Sequence, residues 1–144
     1  MNLNPKFPVV EGLYRLTEDW LVQLPGKFNQ RVEDGSLVLW RPGFTIWVDV
    51  YGNDNQKSIN KRLNDIIADS SSKRYSNITE KSEHVSRYSY RLNENSDDDR
   101  TDAFYCFAVS QSGHVMMAIY FDDPNDIIRA EEVWRNISPT PNAG

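Results

Sequence analysis

Cysteine is almost missing: Cys106 is the only one among 144 residues. That excludes an internal disulfide, and without a second thiol it excludes a sulfur-based zinc site. Histidine is nearly as scarce, and two separate residues, His84 and His114, make no metal motif. The glycines Gly26, Gly35, Gly43, Gly52 and Gly113 are scattered over turns, so there is no glycine-rich loop to cradle a nucleotide. No stretch of about 18 apolar residues occurs, and a transmembrane helix is not expected. The start, Met1-Asn2-Leu3-Asn4-Pro5-Lys6-Phe7-Pro8, has neither the charged-then-apolar order of a signal peptide nor a lipobox cysteine, so the cytoplasm is the expected location. Positive charge is also short: 16 Lys+Arg against 21 Asp+Glu leave a formal charge of -5. Such a field repels phosphate backbones and anionic lipid heads, so nucleic acid and membrane surface are not expected partners.

Aromatic residues make up 12% of the chain, too many for one that avoids packing, although the hydrophobic fraction of 39% is modest. At this length a single domain buries roughly 70% of its surface and needs no staples. We expect one domain over residues 1–144, with an ordered core over about 13–138 and a flexible tail over 139–144. Trp20 to Leu24 reads as a first strand, stopped by Pro25-Gly26. Phe28 to Val32 and Ser36 to Trp40 flank Glu33-Asp34-Gly35, a hairpin signature. Phe44, Ile46, Val48 and Val50 alternate on one face of the strand Phe44 to Tyr51. Ser58 is placed to cap a helix running to about Ala68, with Ile59, Leu63, Ile66 and Ile67 on its buried stripe and Lys61, Arg62, Asn64 and Asp65 on the wet side. Lys73 to Glu83 is weakly patterned and reads as a short edge strand. In the next strand Tyr88, Tyr90 and Leu92 alternate with Arg87, Ser89 and Arg91, which predicts a half-exposed aromatic face. Ala103 to Val109 and His114 to Phe121 form a hairpin through Ser110-Gln111-Ser112-Gly113. Asp122-Asp123-Pro124 opens a second helix whose apolar face is Ile127, Ala130, Val133, Trp134 and Ile137. The expected class is thus α+β: an antiparallel sheet of about six to seven strands with two main amphipathic helices.

The last strand carries Val115, Met117, Ile119 and Phe121 on one side and Met116, Ala118 and Tyr120 on the other, so the sheet needs a cover on both faces. Two helices bury only stripes, which leaves room for the amino-terminal segment or a partner. Trp47, Tyr51, Tyr88 and Tyr90 are candidate partner-binding anchors, because Trp and Tyr join large contact area to a hydrogen-bonding tip. The acidic run Asp97, Asp98 and Asp99 joins them as an electrostatic guide toward a basic partner. As a calcium loop that run fails, since it lacks the turn glycine and the closing glutamate.

The element order carries a resemblance. The Trp-containing first strand ending in Leu24-Pro25, the hairpin, the long apolar strand, one helix, strands closing on Gly113-His114-Val115-Met116-Met117-Ala118-Ile119-Tyr120, and a last helix with Ala130 and Trp134 before Ile137-Ser138 together resemble the PsbP-like superfamily, which includes DcrB-like bacterial proteins. The resemblance runs from about Leu16 to Ser138 and implies an α/β/α sandwich with an antiparallel sheet. It also implies a binding or adaptor role rather than catalysis, as in Eag-type chaperones that hold effector segments for type VI secretion. No binding residue carries over from the family.

Catalytic readings are weak residue by residue. Gln111-Ser112-Gly113 lies in a hairpin turn and lacks the Gly-x-Ser-x-Gly elbow. Cys106 alternates with Phe104 and Ala108 inside an apolar strand, where a thiol acts as a small hydrophobe with a raised pKa. His114 reads as a hydrogen-bonded strand-end residue and His84 as solvated. No catalytic residue, cofactor or metal ligand is therefore expected. The sequence supports a bacterial cytosolic protein that binds another polypeptide, either a toxin it neutralises or a secreted effector it chaperones, or that self-associates. The alternative is a small-molecule binder or weak hydrolase with a pocket between sheet and helix.

Overall fold

The computed structural model describes residues 3–94 and 101–141. Its strands are β1 (Val9–Val10), β2 (Leu13–Arg15), β3 (Trp20–Gln23), β4 (Phe28–Glu33), β5 (Ser36–Arg41), β6 (Phe44–Gly52), β7 (Tyr75–Lys81), β8 (Ser86–Leu92), β9 (Ala103–Ser110), β10 (Gly113–Phe121) and β11 (Ile137–Pro139). Helix α1 (Ile59–Asp69) joins β6 to β7, and a 3-10 turn at Pro124–Asp126 leads into α2 (Ile127–Arg135).

Eight strands form one antiparallel sheet in the order β1-β4-β5-β6-β10-β9-β8-β7, and three more form a second in the order β11-β3-β2. This corrects the expected α+β class of six to seven strands with two main helices: among the described residues there are eleven strands and two short helices, of 11 and 9 residues. It also corrects the α/β/α sandwich, because the layer in front of the large sheet holds a second, three-stranded sheet together with α2. The physical reason lies in β1, β2 and β11. At two or three residues each, they are too short to show alternation, and they exist only through their partners, which for β1 and above all β11 are distant in sequence. Ile137 belongs to β11, not to the helix as its spacing from Ala130, Val133 and Trp134 predicts. Asn136 ends α2, and Ile137 pairs with Val22 in β3.

The local signals act as their chemistry requires. Asp34 and Gly35 take φ of 51° and 86°, the left-handed pair that closes a two-residue hairpin between β4 and β5. The Ser58 side chain accepts the backbone N–H of Lys61 and caps α1. The segment over 73–83 holds β7, a full seven-residue edge strand, kinked by a register shift between Tyr75 and Ile78.

Alternation along the central strands makes two cores. On the front face Phe28, Leu39, Phe44, Ile46, Phe104, Cys106, Met117 and Ile119 pack against Trp20 and Val22 of the small sheet and Ala130, Val133 and Trp134 of α2. On the back face Tyr88, Tyr90, Phe107 and Val109 pack under Leu63 of α1. The predicted two covers exist, and they are unequal: α1 lies against β8 and β9.

Candidate functional site

The register of β10 assembles the back face. It sets His114 opposite Tyr51, Met116 opposite Asp49, Ala118 opposite Trp47 and Tyr120 opposite Thr45. On its other side β9 brings Phe107 opposite Met116 and Tyr105 opposite Ala118. The half of this face under α1 is closed, whereas Thr45, Trp47, Asp49 and Met116 remain partly exposed. Trp40 also faces this way, and Phe7 of the amino-terminal segment meets it edge-on with ring centroids 5.0 Å apart.

The aromatic anchors expected from the sequence divide accordingly. Tyr51 is 48% exposed and Trp47 lies in the open strip. Tyr88 and Tyr90 are interior, at 2% and 6% exposure, which corrects the half-exposed face expected for β8. Alternation gave them one face of a strand and said nothing of the helix that covers it. Their side chains serve the fold: the Tyr88 hydroxyl donates to Asn77 Oδ1 at 2.7 Å, while the Tyr90 ring stacks on Tyr105 at 5.2 Å. Asp97, Asp98 and Asp99 lie outside the described residues.

Between α1 and the Tyr51–His114 edge of the sheet is a cleft of about 440 Å³, floored by Phe107, Met116 and Tyr90 and walled by Ile66, Asp69 and Arg62. Such a volume suits a small ligand or a single large side chain. Arg62 organises its base. One Nη donates to His114 Nδ1 at 3.0 Å, and the other donates to the Gly52 carbonyl at 3.1 Å and to Asn53 Oδ1 at 2.7 Å. Asn53 in turn donates to the carbonyls of Lys57 and Gln111, both at 2.9 Å, tying the loop before α1 to the β9–β10 hairpin.

These contacts fix the state of His114. A guanidinium keeps its protons in a protein, so Nδ1 must accept, and the ring proton sits on Nε2. Burial, and then the positive charge of Arg62, push the His114 pKa from 6.5 down to about 4. Its imidazole also stacks on Tyr51, with centroids 4.8 Å apart. Nearby, Asp65 accepts from Lys57 at 2.8 Å and from Lys61 at 3.0 Å, and those lysine hydrogen bonds hold its carboxyl below the usual range.

The cleft therefore offers a neutral N–H donor above an apolar floor. A nucleophilic relay needs a carboxylate behind the imidazole, and here a cation stands in that place. Cys106 is on the other face of the sheet, fully buried, and burial drives its thiol pKa well up. His84 is exposed at the β7–β8 turn beside Glu83. Among the described residues no group of three or more His, Cys, Asp or Glu could hold a metal ion.

Arg62 and Asn53 are the two members of this site that sequence reasoning missed. A helical wheel assigns Arg62 to the wet side because it sees only its own helix, and nothing in the loop pattern singles out Asn53. No known protein family matches the chain, and no curated protein matches it. Among the described residues no helix is long and apolar enough to cross a membrane.

Proposed function

We propose that this chain is a non-catalytic, cytosolic binding module for another polypeptide, docked on the back-face strip beside α1. One observation carries the reading. The front face is covered over its centre by a second sheet and a helix, with Val32 and Val50 exposed at one end, while α1 packs on β8 and β9 and leaves Thr45, Trp47 and Met116 partly exposed along the back. A Trp and a Met on a rigid sheet are the contact types that anchor interfaces, giving area at little cost in conformational freedom. Carboxylates of Asp49 at the strip and of Asp69 on the α1 wall favour a cationic partner, Asp65 being already bonded to Lys57 and Lys61, and the net charge of -5 adds long-range steering. A toxin to be neutralised or a secreted effector to be held fits that chemistry.

A photo-reactive amino acid placed at Trp47, compared with the same group at Ile128 on α2, tests the proposal in the native cell. A single heterologous protein cross-linked at position 47 and not at 128 is the expected result. Identical cross-links at both positions overturn it.

A second reading has an observation of its own: the cleft of about 440 Å³ with His114 Nε2–H at its edge suits a small ligand with an apolar body and one acceptor. A thermal-shift screen in which His114→Gln abolishes the response to a hit favours it over the polypeptide partner.

A further inference from the structure

The geometry points to the cleft beside α1 as the seat of the partner's carboxyl terminus, with arginine or lysine as the last residue. The inference rests on the polypeptide-binding reading and names the part of the partner that enters the cleft. The α1 residues that wall it, Arg62, Asp65, Ile66 and Asp69, fall at i, i+3, i+4 and i+7, one face of the helix. Arg62 and Asp69 therefore stand roughly 10 Å apart along the axis. The cleft carries opposite charges at its two ends.

The positive end is Arg62. Its guanidinium bonds to neutral acceptors, His114 Nδ1, the Gly52 carbonyl and Asn53 Oδ1, and makes no ion pair among the described residues. Beside it the Nε2–H of His114 has no partner among the described residues. A carboxylate that accepts from this N–H also sits in the field of the uncompensated guanidinium. A free amino acid is disfavoured here, because its α-ammonium would stand near the same cation. An acylated nitrogen, as at the end of a chain, removes that repulsion.

The negative end is Asp69, the last residue of α1. The final turn holds no basic side chain, so this carboxylate adds to the negative end of the helix dipole. Asp69 has no hydrogen bond or ion pair among the described residues, and a cation placed there relieves both charges. Between the two ends Asp65 is neutralised by Lys57 at 2.8 Å and Lys61 at 3.0 Å. Phe107, Met116 and Ile66 supply an apolar bed. Such a bed suits the methylene stem of a basic residue whose charged head stays at the rim. An extended arginine sets its guanidinium roughly 7 Å from its carboxylate, and a hydrogen bond at each end covers the span.

NMR of the intact chain titrated with Nα-acetyl-arginine tests the site. Saturable shifts at His114, Met116 and Asp69 are expected. Nα-acetyl-arginine amide, which lacks the carboxylate, should bind roughly tenfold more weakly, as loss of a hydrogen bond to a charged group does. Nα-acetyl-citrulline, the neutral isostere, should bind several-fold more weakly, the size expected of an ion pair open to solvent. Asp69→Asn, an exposed change, should erase the difference between arginine and citrulline without lowering the urea midpoint. Equal binding of the amide overturns the carboxyl terminus, and equal binding of citrulline overturns the basic residue. Free arginine binding as tightly as its acetyl derivative makes the ligand a small molecule and overturns the chain end. Shifts that do not saturate overturn the site. The docking proposal fails separately: a partner cross-linked at Trp47 with these titrations negative sinks only the inference about the cleft, and saturable acetyl-arginine binding in a chain that cross-links nothing at Trp47 sinks only the docking strip.

Discussion

The Arg62 guanidinium stands 3.0 Å from His114 Nδ1, and this contact fastens α1 to the start of β10 across the mouth of the cleft. Because a cation holds the imidazole, the fold requires His114 to stay neutral.

Stability should therefore depend on acidity in a defined window. The His114 pKa is 6.5 when unperturbed and about 4 in the folded chain, so between those values the unfolded state takes up a proton that the native state refuses. Protonation then favours unfolding: the contribution is complete above about pH 6.5 and is lost as pH falls toward 4. Urea midpoints measured across that range should fall with acidity in the wild type and fall less in His114→Gln. Equal slopes would refute the assignment.

Gly113→Ala should be among the most damaging single changes in the chain. Gly113 opens β10 at φ of 136°, and a Cβ there would overlap the carbonyl oxygen of Tyr51 in the neighbouring strand. Strain of that kind costs about 2–4 kcal/mol. Chemical denaturation should show a loss of that size and a distorted Tyr51–His114 edge.

Ser89→Ala should be neutral or stabilising. Ser89 is fully buried on the front face of β8, and its hydroxyl finds no partner there. Removing an unsatisfied polar atom relieves a penalty of about 1–3 kcal/mol, offset by any water it holds. A loss of more than about 1 kcal/mol in unfolding free energy would mean that the hydroxyl is bonded after all.

Cys106 should be inert in the folded protein. Its side chain is 0% exposed and burial raises its pKa well above the ordinary value, so both access and thiolate are lacking. Labelling by an aromatic disulfide should proceed only at the rate of global unfolding and accelerate with urea. Prompt labelling in buffer would contradict the burial.

Much of the large sheet was legible because it is local. Phe44, Ile46 and Val48 alternate over a strand long enough to reveal period two, Asp34-Gly35 dictates its own turn, and Ser58 caps the helix that begins at Ile59. Of the small sheet only its middle strand, Trp20–Gln23, was legible, since Leu13–Arg15 and Ile137–Pro139 are strands only by virtue of that strand between them. Ile137 even falls on the helical stripe of Val133 and Trp134, so periodicity misdirects there. At the cleft, His114 was readable as a hydrogen-bonded strand-end residue, but its partner on a helix 52 residues away was not. Tyr88 and Tyr90 were recognised as a face, whereas which element covers that face is decided by tertiary packing alone.

The pairing of β11 with β3 also governs how the molecule can be made. Thr140 donates to the carbonyl of Glu18 from 122 residues further along the chain. Until the ribosome has delivered that late segment, Phe28, Phe44 and Ile46 have only the early β3 residues Trp20 and Val22 to cover them, without Val133, Trp134 and Ile137, and the nascent chain carries much of this greasy surface unprotected. Closure of the front layer therefore waits on α2 and β11, and the interval before it is when a holdase has something to grip.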